Sequence, residues 1–409
     1  MAISPQALED ARMYMGRAGL GGWLLFDYQR MNPVLWQLVG DVRHVTRPCF
    51  LLVAARGDAT LLVHHVDLGR FHGTGLTARV YRSRAELVEQ LRGLLASVRG
   101  PVAMEYSPLG QLPRSSRVDA GTVELVRSLG VEVVSSADLF QYVTQRWTQE
   151  QLASHRRAAE NLGAIVHEAF DFIGYNVSSG VTELQVARFI RQRYEDSGLA
   201  TDDGPVVAVN EHSGDPHYEP PEQGGATIRP GDWVLLDLWA REQSDAGTFA
   251  DITWVGYVGN EVPERHAQVF ALVAEARDTA LRFVEEAFRM GWTVEGWQVD
   301  RAARNLVQQA GYGPYFTHRL GHSLGRTVHA DAVNLDDFET HDTRKLIPGI
   351  GFTIEPGIYL PEFGVRSEID VYLSETGPVV TTEVQREVVR VQPRRGSQRL
   401  SWSGSNPSR

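Results

Sequence analysis

Four carboxylates in the second half of the chain stand inside apolar, strand-forming runs, where a charged side chain needs a partner. Asp237 ends the run Trp233 to Leu236, and Asp251 opens Asp-Ile-Thr-Trp-Val-Gly-Tyr-Val. Glu355 lies between Gly-Phe-Thr-Ile and Pro-Gly-Ile-Tyr, and Glu368 lies within Gly-Val-Arg-Ser-Glu-Ile-Asp-Val. A carboxylate buried in a strand is costly unless a cation or a hydrogen-bond donor satisfies it. Taken singly, each of these acids could be an edge-strand residue facing water. Taken together, they could share one or two divalent cations, which offset the repulsion that would otherwise keep some of them protonated.

Most of the 13 histidines, such as adjacent His64 and His65, have no evident partner in the sequence. The segment Thr317 to His329 differs, because His318, His322 and His329 fall close together, with Gly321 and Gly325 between them to let backbone approach a ligand. His217 stands apart in a Pro- and Gly-rich stretch. His318 and His322, four residues apart, would suit a zinc pair on a helix, but no glutamate follows the first histidine, so the single-zinc protease signature is absent.

The elements that must position these groups can be read from the patterning. With 409 residues, 43% hydrophobic and 22% charged, the chain has material for two globular domains. In the first 145 residues, helical periodicity at Pro5 to Ala18, Arg84 to Ser97 and Ala120 to Leu129 alternates with strand-like runs at 23–26, 50–54, 59–64, 102–105 and 131–134, which predicts a compact α/β unit. Thr148 with Gln151 forms an N-cap signature opening a long helix to about Phe172. Helices at 182–197, 264–290 and 296–310 with strands between them make the second domain mixed α+β. From Gln392 onward the chain is Arg-, Ser- and Gly-rich, so 393–409 is expected to be a disordered tail.

Cys49 is the single cysteine, so an internal disulfide is excluded and any metal must be held by oxygen and nitrogen. That cysteine usage fits a reducing compartment, no targeting segment is read at the N-terminus, and the cytoplasm is the expected location. No run approaches a membrane span, and a net charge of −11 argues against a nucleic-acid partner.

These residues and their surrounding words resemble the pita-bread metallopeptidases, the family of methionine aminopeptidase, aminopeptidase P, prolidase and creatinase. The resemblance covers nearly the whole chain: residues 1–145 are similar to the creatinase/prolidase-type N-terminal domain, and 150–392 to the pita-bread catalytic domain. The fold it implies is α+β, with the smaller α/β domain first. The family's ligands, in the order Asp, Asp, His, Glu, Glu, fall on Asp237, Asp251, His322, Glu355 and Glu368. By the same resemblance, His217, His318 and His329 contact substrate and the tetrahedral centre, Arg366 reaches a dipeptide's carboxylate, and Tyr359 is an active-site tyrosine.

The function so implied is hydrolysis of Xaa-Pro dipeptides, as by a bacterial prolidase. Two divalent ions, bridged by Asp251 and Glu368, would generate a hydroxide and polarise the scissile carbonyl, with Glu355 also shuttling a proton and with His318 and His329 donating to the oxyanion. An oxygen-rich site with one imidazole suits Mn2+, with Co2+ or Zn2+ as possible occupants. A homodimer and a proline-containing peptide as partner follow from the resemblance. The rival readings are aminopeptidase P, acting on longer Xaa-Pro peptides, and a non-catalytic peptide-binding protein on the same fold, which the complete ligand set opposes.

The chain departs from the family pattern in places that bear on loop shape and substrate range. Thirteen residues instead of ten separate Asp237 from Asp251, and the segment lacks the usual glycine after the first ligand and a tyrosine often found there. Trp254 stands where arginine commonly follows, and Ile369 replaces a common acid.

Overall fold

The strand period of two organises the first unit around one buried strand. A computed structural model describes residues 4–40, 42–219, 221 and 223–394. Its chain divides into a first unit, Met1–Arg146 with Thr340–Ile347, and a second, Trp147–Glu339 with Pro348–Arg409. In the first, α1 (Pro5–Ala18), β1 (Gly22–Asp27), α2 (Pro33–Val39), β2 (Cys49–Ala54), β3 (Thr60–His64) and β4 (Thr77–Tyr81) precede α3 (Arg84–Leu95), β5 (Val102–Met104), α4 (Ala120–Ser128), β6 (Val133–Ser135) and α5 (Ala137–Thr144). The strands form one mixed sheet in the order β4-β3-β2-β1-β5-β6. Strand β1 is buried along its whole length. Trp23 and Leu25 join one core with Met15, Leu35 and Phe140, while Leu24 and Phe26 join a second with Leu87, Leu91 and Val126. Helices therefore cover both faces.

The second unit is built on α6 (Gln149–Asn176), α7 (Glu183–Asp196), β7 (Leu199–Ala200), β8 (Val206–Val209), β9 (Trp233–Glu242) and β10 (Ala250–Tyr257). It continues through α8 (Glu264–Arg289), α9 (Gly296–Gln309), β11 (Ser323–Leu324), β12 (Gly351–Ile354), β13 (Gly357–Tyr359), β14 (Gly364–Arg366), β15 (Ile369–Ser374), β16 (Gly377–Val380) and β17 (Val389–Arg390). The sequence signature at Thr148 is a full capping box: Gln151 N–H donates to Thr148 Oγ1 at 3.2 Å and Thr148 N–H to Gln151 Oε1 at 2.8 Å.

Among the described residues, the second unit carries three sheets: β17-β10-β9-β7 with β8 also on β9, then β11-β12-β15-β16, and the pair β13-β14. Leu236, Leu238, Ile252 and Trp254 on one face of the β9–β10 hairpin pack with Leu162, Val166, Phe170 and Ile173 of α6 and Ile190 of α7. This leaves the opposite face of the hairpin to carry Asp237 and Asp251.

The structure adds detail to three readings of the sequence. The run that Asp237 ends is the first half of a longer strand, because β9 continues through Asp237 to Glu242. The His318 and His322 segment forms no helix, in keeping with the glycines within it, and His322 O accepts the N–H of Thr353 in β12 at 2.8 Å. Of the tail expected to be disordered, 395–409 lies outside the described residues, but Arg394 is fixed, its N–H donating to Gly174 O at 3.0 Å and its Nη2 to Asp171 Oδ1 at 2.7 Å.

Leu238 is fully buried between hairpin and helices. Leu238→Ala should destabilise the protein by about 2–5 kcal/mol, read as a lower urea midpoint with unchanged slope.

Candidate metal centre and peptide site

The hairpin register brings the first two acids together. Asp237 pairs with Thr253 and Asp251 with Trp239, so all four side chains share the face turned away from the helices. The second leg comes from the other sheet. Thr353 pairs with Asp370 and Ile354 with Ile369 between β12 and β15, which places Glu355 just past one strand and Glu368 just before the other. Cross-links tie the two legs: Asp251 N–H donates to Asp370 Oδ2 at 2.9 Å, Glu368 N–H to Thr253 O at 3.3 Å, and Thr253 Oγ1 to Glu368 Oε2 at 2.7 Å.

His322 enters from the β11 side. Its N–H donates to Thr353 Oγ1 at 3.0 Å, and the segment before it is pinned by the buried pair on α9, where Asp300 accepts Leu320 N–H at 2.8 Å and Arg304 donates to His318 O at 2.7 Å. Arg277 of α8, 1% exposed, donates to Ser367 Oγ at 2.6 Å and so holds the residue before Glu368.

The resulting distances fit ligands of a cation better than hydrogen bonds. His322 Nε2 lies 3.6 Å from Asp251 Oδ2 and 3.4 Å from Glu355 Oε1. Two atoms that each sit about 2.0–2.2 Å from one ion are separated by roughly 3–3.5 Å, whereas a hydrogen bond would be shorter. Asp251, His322 and Glu368 bring one ligand atom each within 4.8 Å of one another. Asp251 Oδ1 and Glu368 Oε1 are buried with no hydrogen-bond partner among the described residues. Unpaired oxygens on buried acids are expensive, and a cation is what would satisfy them. The donor set of carboxylates and one imidazole therefore fits divalent metal ions.

Electrostatics point the same way. Burial and then the neighbouring acids push the carboxyls of Asp251 and Glu368 well up from the ordinary range. Burial raises Glu355 to about 7, against the lowering field of Arg366, and burial also raises Asp237.

Beside the acids runs a chain of donors. Arg366 donates through Nε to Thr253 Oγ1 at 2.9 Å, through Nη1 to Tyr359 OH at 3.0 Å, and through Nη2 to Asp237 Oδ2. His318 Nδ1 donates to Arg319 O at 2.6 Å, so in the neutral ring Nε2 accepts from Tyr359 OH, 2.8 Å away. Burial first, and then the charge of Arg366, lower His318 to about 3, so this ring is neutral near pH 7. His329 stands edge-on to His322 with ring centroids 4.3 Å apart.

Nine of the ten side chains expected from the sequence, all but Tyr359, line one cavity of about 480 Å3. Tyr359 stands behind them, bonded to Arg366 and His318. His217 reaches the cavity from a loop gathered by Glu183, a fully buried carboxylate that accepts Val209 N–H, His212 Nδ1–H, Tyr218 OH and Ala226 N–H. Glu183, Thr253, Asp370 and Trp239 were not foreseen from the sequence. Thr253 and Asp370 each follow a candidate ligand by two residues, which in a strand places them on that ligand's face.

Residues 153–375 match metallopeptidase family M24. The chain belongs to that family. Its fold is the α+β pita-bread fold preceded by a smaller α/β domain, and the dipeptidase PepE from Mycobacterium ulcerans shares it at TM-score 0.69 and 24% identity, over 95% of this chain and 97% of that one. The Xaa-Pro dipeptidase from Bacillus anthracis is similar at TM-score 0.61 and 20% identity, over 94% and 99% of the two chains. Among curated proteins, the Bacillus subtilis (strain 168) protein named "Putative dipeptidase YkvY" is 34% identical over 212 residues, 51% of this chain. The match spans about half of that relative's length, 54%. Among the described residues, no helix of this M24 chain is long and apolar enough to cross a membrane.

Because the raised carboxyls must lose protons before they can ligate, metal stabilisation should depend on pH. An acid with a raised folded value favours the metal-free fold below its ordinary value, and that stability is lost as pH rises through the folded value, from about 4.5 to about 7 for Glu355. Added Mn2+ should therefore raise the melting temperature of chelator-treated protein much more at pH 7.5 than at pH 5. An equal rise at both values would contradict the assignment.

Proposed function

We propose that the chain is a dinuclear metal-dependent Xaa-Pro dipeptidase, with Asp237, Asp251, His322, Glu355 and Glu368 as ligands. The observation that carries this reading is that Asp251 and Glu368, each with a buried oxygen that has no partner among the described residues, bring ligand atoms within 4.8 Å of one another and of His322. Bound ions would supply Lewis acidity to the scissile carbonyl and lower the pKa of the attacking water.

The side chains of the chain do the rest. Glu355, held near neutrality, suits a group that accepts a proton from the nucleophile and returns it to the leaving nitrogen. Neutral His318, aligned by Tyr359, and His329, beside His322, are placed to act on substrate and on the developing oxyanion. Arg366 already spends three N–H donors on Thr253, Tyr359 and Asp237. It therefore orients Asp237, and its remaining two donors, with His217, would meet a substrate carboxylate.

Mn2+ as the ion, the cytoplasm as compartment and a homodimer as assembly belong to the same proposal. The oxygen-rich ligand set and a free, buried Cys49 support the first two, and the resemblance stated above supports the third. Aminopeptidase P activity on longer Xaa-Pro peptides is the second reading, because the same ligand geometry serves either substrate length.

His318→Ala should lower kcat by about 10²- to 10³-fold with metal content retained, measured by elemental analysis alongside turnover. Wild-type turnover in that variant would reduce His318 to a packing residue.

Substrate length is tested with Xaa-Pro dipeptides, their C-terminal amides and Xaa-Pro tripeptides under added Mn2+. Amidation should lower kcat/KM by about 30- to 1,000-fold, the equivalent of about 2–4 kcal/mol for a lost charge pair. Equal rates on amides and tripeptides would make the protein an aminopeptidase P.

A further inference from the structure

Trp239 occupies the cavity wall directly beside the metal-facing acids. It is paired across the hairpin with Asp251 and lies two residues beyond Asp237 on the same strand face. Its indole lines the same cavity as both acids. Arg366, which bonds Asp237 and Thr253, stands toward the β14 end of the hairpin, where Trp233 Nε1 donates to Gly364 O at 2.8 Å. Trp239 stands toward the other end, near Phe249 and Val328. Arg366 therefore stands on the β14 side of the acids and Trp239 on the opposite side, where Arg191 also lines the cavity with its Nε–H held by Gly204 O.

The indole is held so that it cannot recede. Its Nε1–H donates to Asp203 Oδ1 at 2.8 Å, and its six-membered ring lies so close to Gly204 that a Cβ there would come within 2.4 Å of Cζ2. Gly204 has φ +69, a conformation that glycine adopts without strain. Arg191 donates to Gly204 O at 2.8 Å and so fixes the backbone against which the ring rests. A ring fastened at its nitrogen and backed by main chain is a rigid wall.

We propose that Trp239, clamped by Asp203 and Gly204, is the specificity-determining wall of the subsite for the substrate's first side chain, restricting it to small residues such as Gly, Ala and Ser. This inference rests on the peptidase reading. A dipeptide whose carboxylate lies toward Arg366 and whose scissile carbonyl lies at the acids must put its first residue toward the indole. The same end carries the Asp203 carboxylate, which, with the metal-facing acids, suits the free ammonium of that residue.

The test is a series of Xaa-Pro dipeptides, with Xaa as Gly, Ala, Leu or Phe, assayed with Mn2+-loaded wild type, Trp239→Gly, Trp239→Phe and Asp203→Ala. Trp239→Gly should raise the ratio of kcat/KM for Phe-Pro over Ala-Pro by at least about tenfold, the scale on which pocket shape discriminates side chains. Asp203→Ala, which frees the ring without removing it, and Trp239→Phe, which loses the same Nε1–H bond and leaves a smaller ring, should each shift the ratio in the same direction by less. Metal content and melting temperature, measured on each variant, show that the site and fold are intact, and Asp203→Ala and Trp239→Phe carry the test if Trp239→Gly does not fold. Unchanged ratios in folded, metal-loaded variants would overturn the subsite. If wild type hydrolyses none of the series, the dipeptidase reading fails separately, and calorimetric binding of the same dipeptides decides the subsite: a Phe-Pro to Ala-Pro affinity ratio identical in wild type and Trp239 variants would overturn it.

Discussion

The second unit is organised around an electrostatic debt: more buried carboxylate than its own cations can neutralise. Asp251 and Glu368 are each nearly inaccessible, each has an oxygen without a partner among the described residues, and burial with mutual repulsion pushes both carboxyls up. Arg366 answers Asp237 directly but not Asp251. In a water-poor site such a cluster persists either protonated or around added positive charge. The spacing of His322 from Asp251 and Glu355 favours added charge, because it exceeds the usual N–H···O distance and suits ligands that share an ion.

The fold exists to hold that cluster open. Two sheets each contribute one leg, and Thr253 and Asp370 stitch the legs together at the backbone and side-chain level. Apolar residues alternate with the acids along β9 and β10, so the burial that packs α6 and α7 also aims the acids into the cavity. The histidine segment gains its rigidity from α9, where the Asp300 and Arg304 pair at 2.7 Å grips the main chain around His318 and Leu320. A buried pair of this kind contributes little net stability but fixes one geometry, the use that suits a site needing placed ligands.

Long elements were legible in the sequence because several local signals agreed. At α6 the Thr148 and Gln151 cap and the apolar period coincide, and at α1 Ser4 precedes a proline that opens the helix. Strand β4 was missed because Thr77, Ala78 and Arg79 are exposed at the sheet edge and leave no apolar alternation to read. Asp237, Asp251, Glu355 and Glu368 stood out because acids interrupt strand-forming runs. The contact of Arg366 with Asp237, 129 positions earlier, and the Glu183 carboxylate beneath the His217 loop depend on how distant segments meet, which no local pattern encodes. Trp239 carried no signal of its own in the sequence, and its meaning came from the register that sets it opposite Asp251.

The central claim is that these acids and His322 form a divalent-metal centre. Titration calorimetry of the chelator-treated protein with Mn2+ at pH 7.5 measures it most directly. The account predicts two ions bound per chain, and loss of tight binding in Asp251→Asn while the variant keeps its circular dichroism spectrum. Absence of Mn2+, Co2+ and Zn2+ binding by wild type, or an Asp251→Asn protein that binds two ions with unchanged affinity, would contradict it.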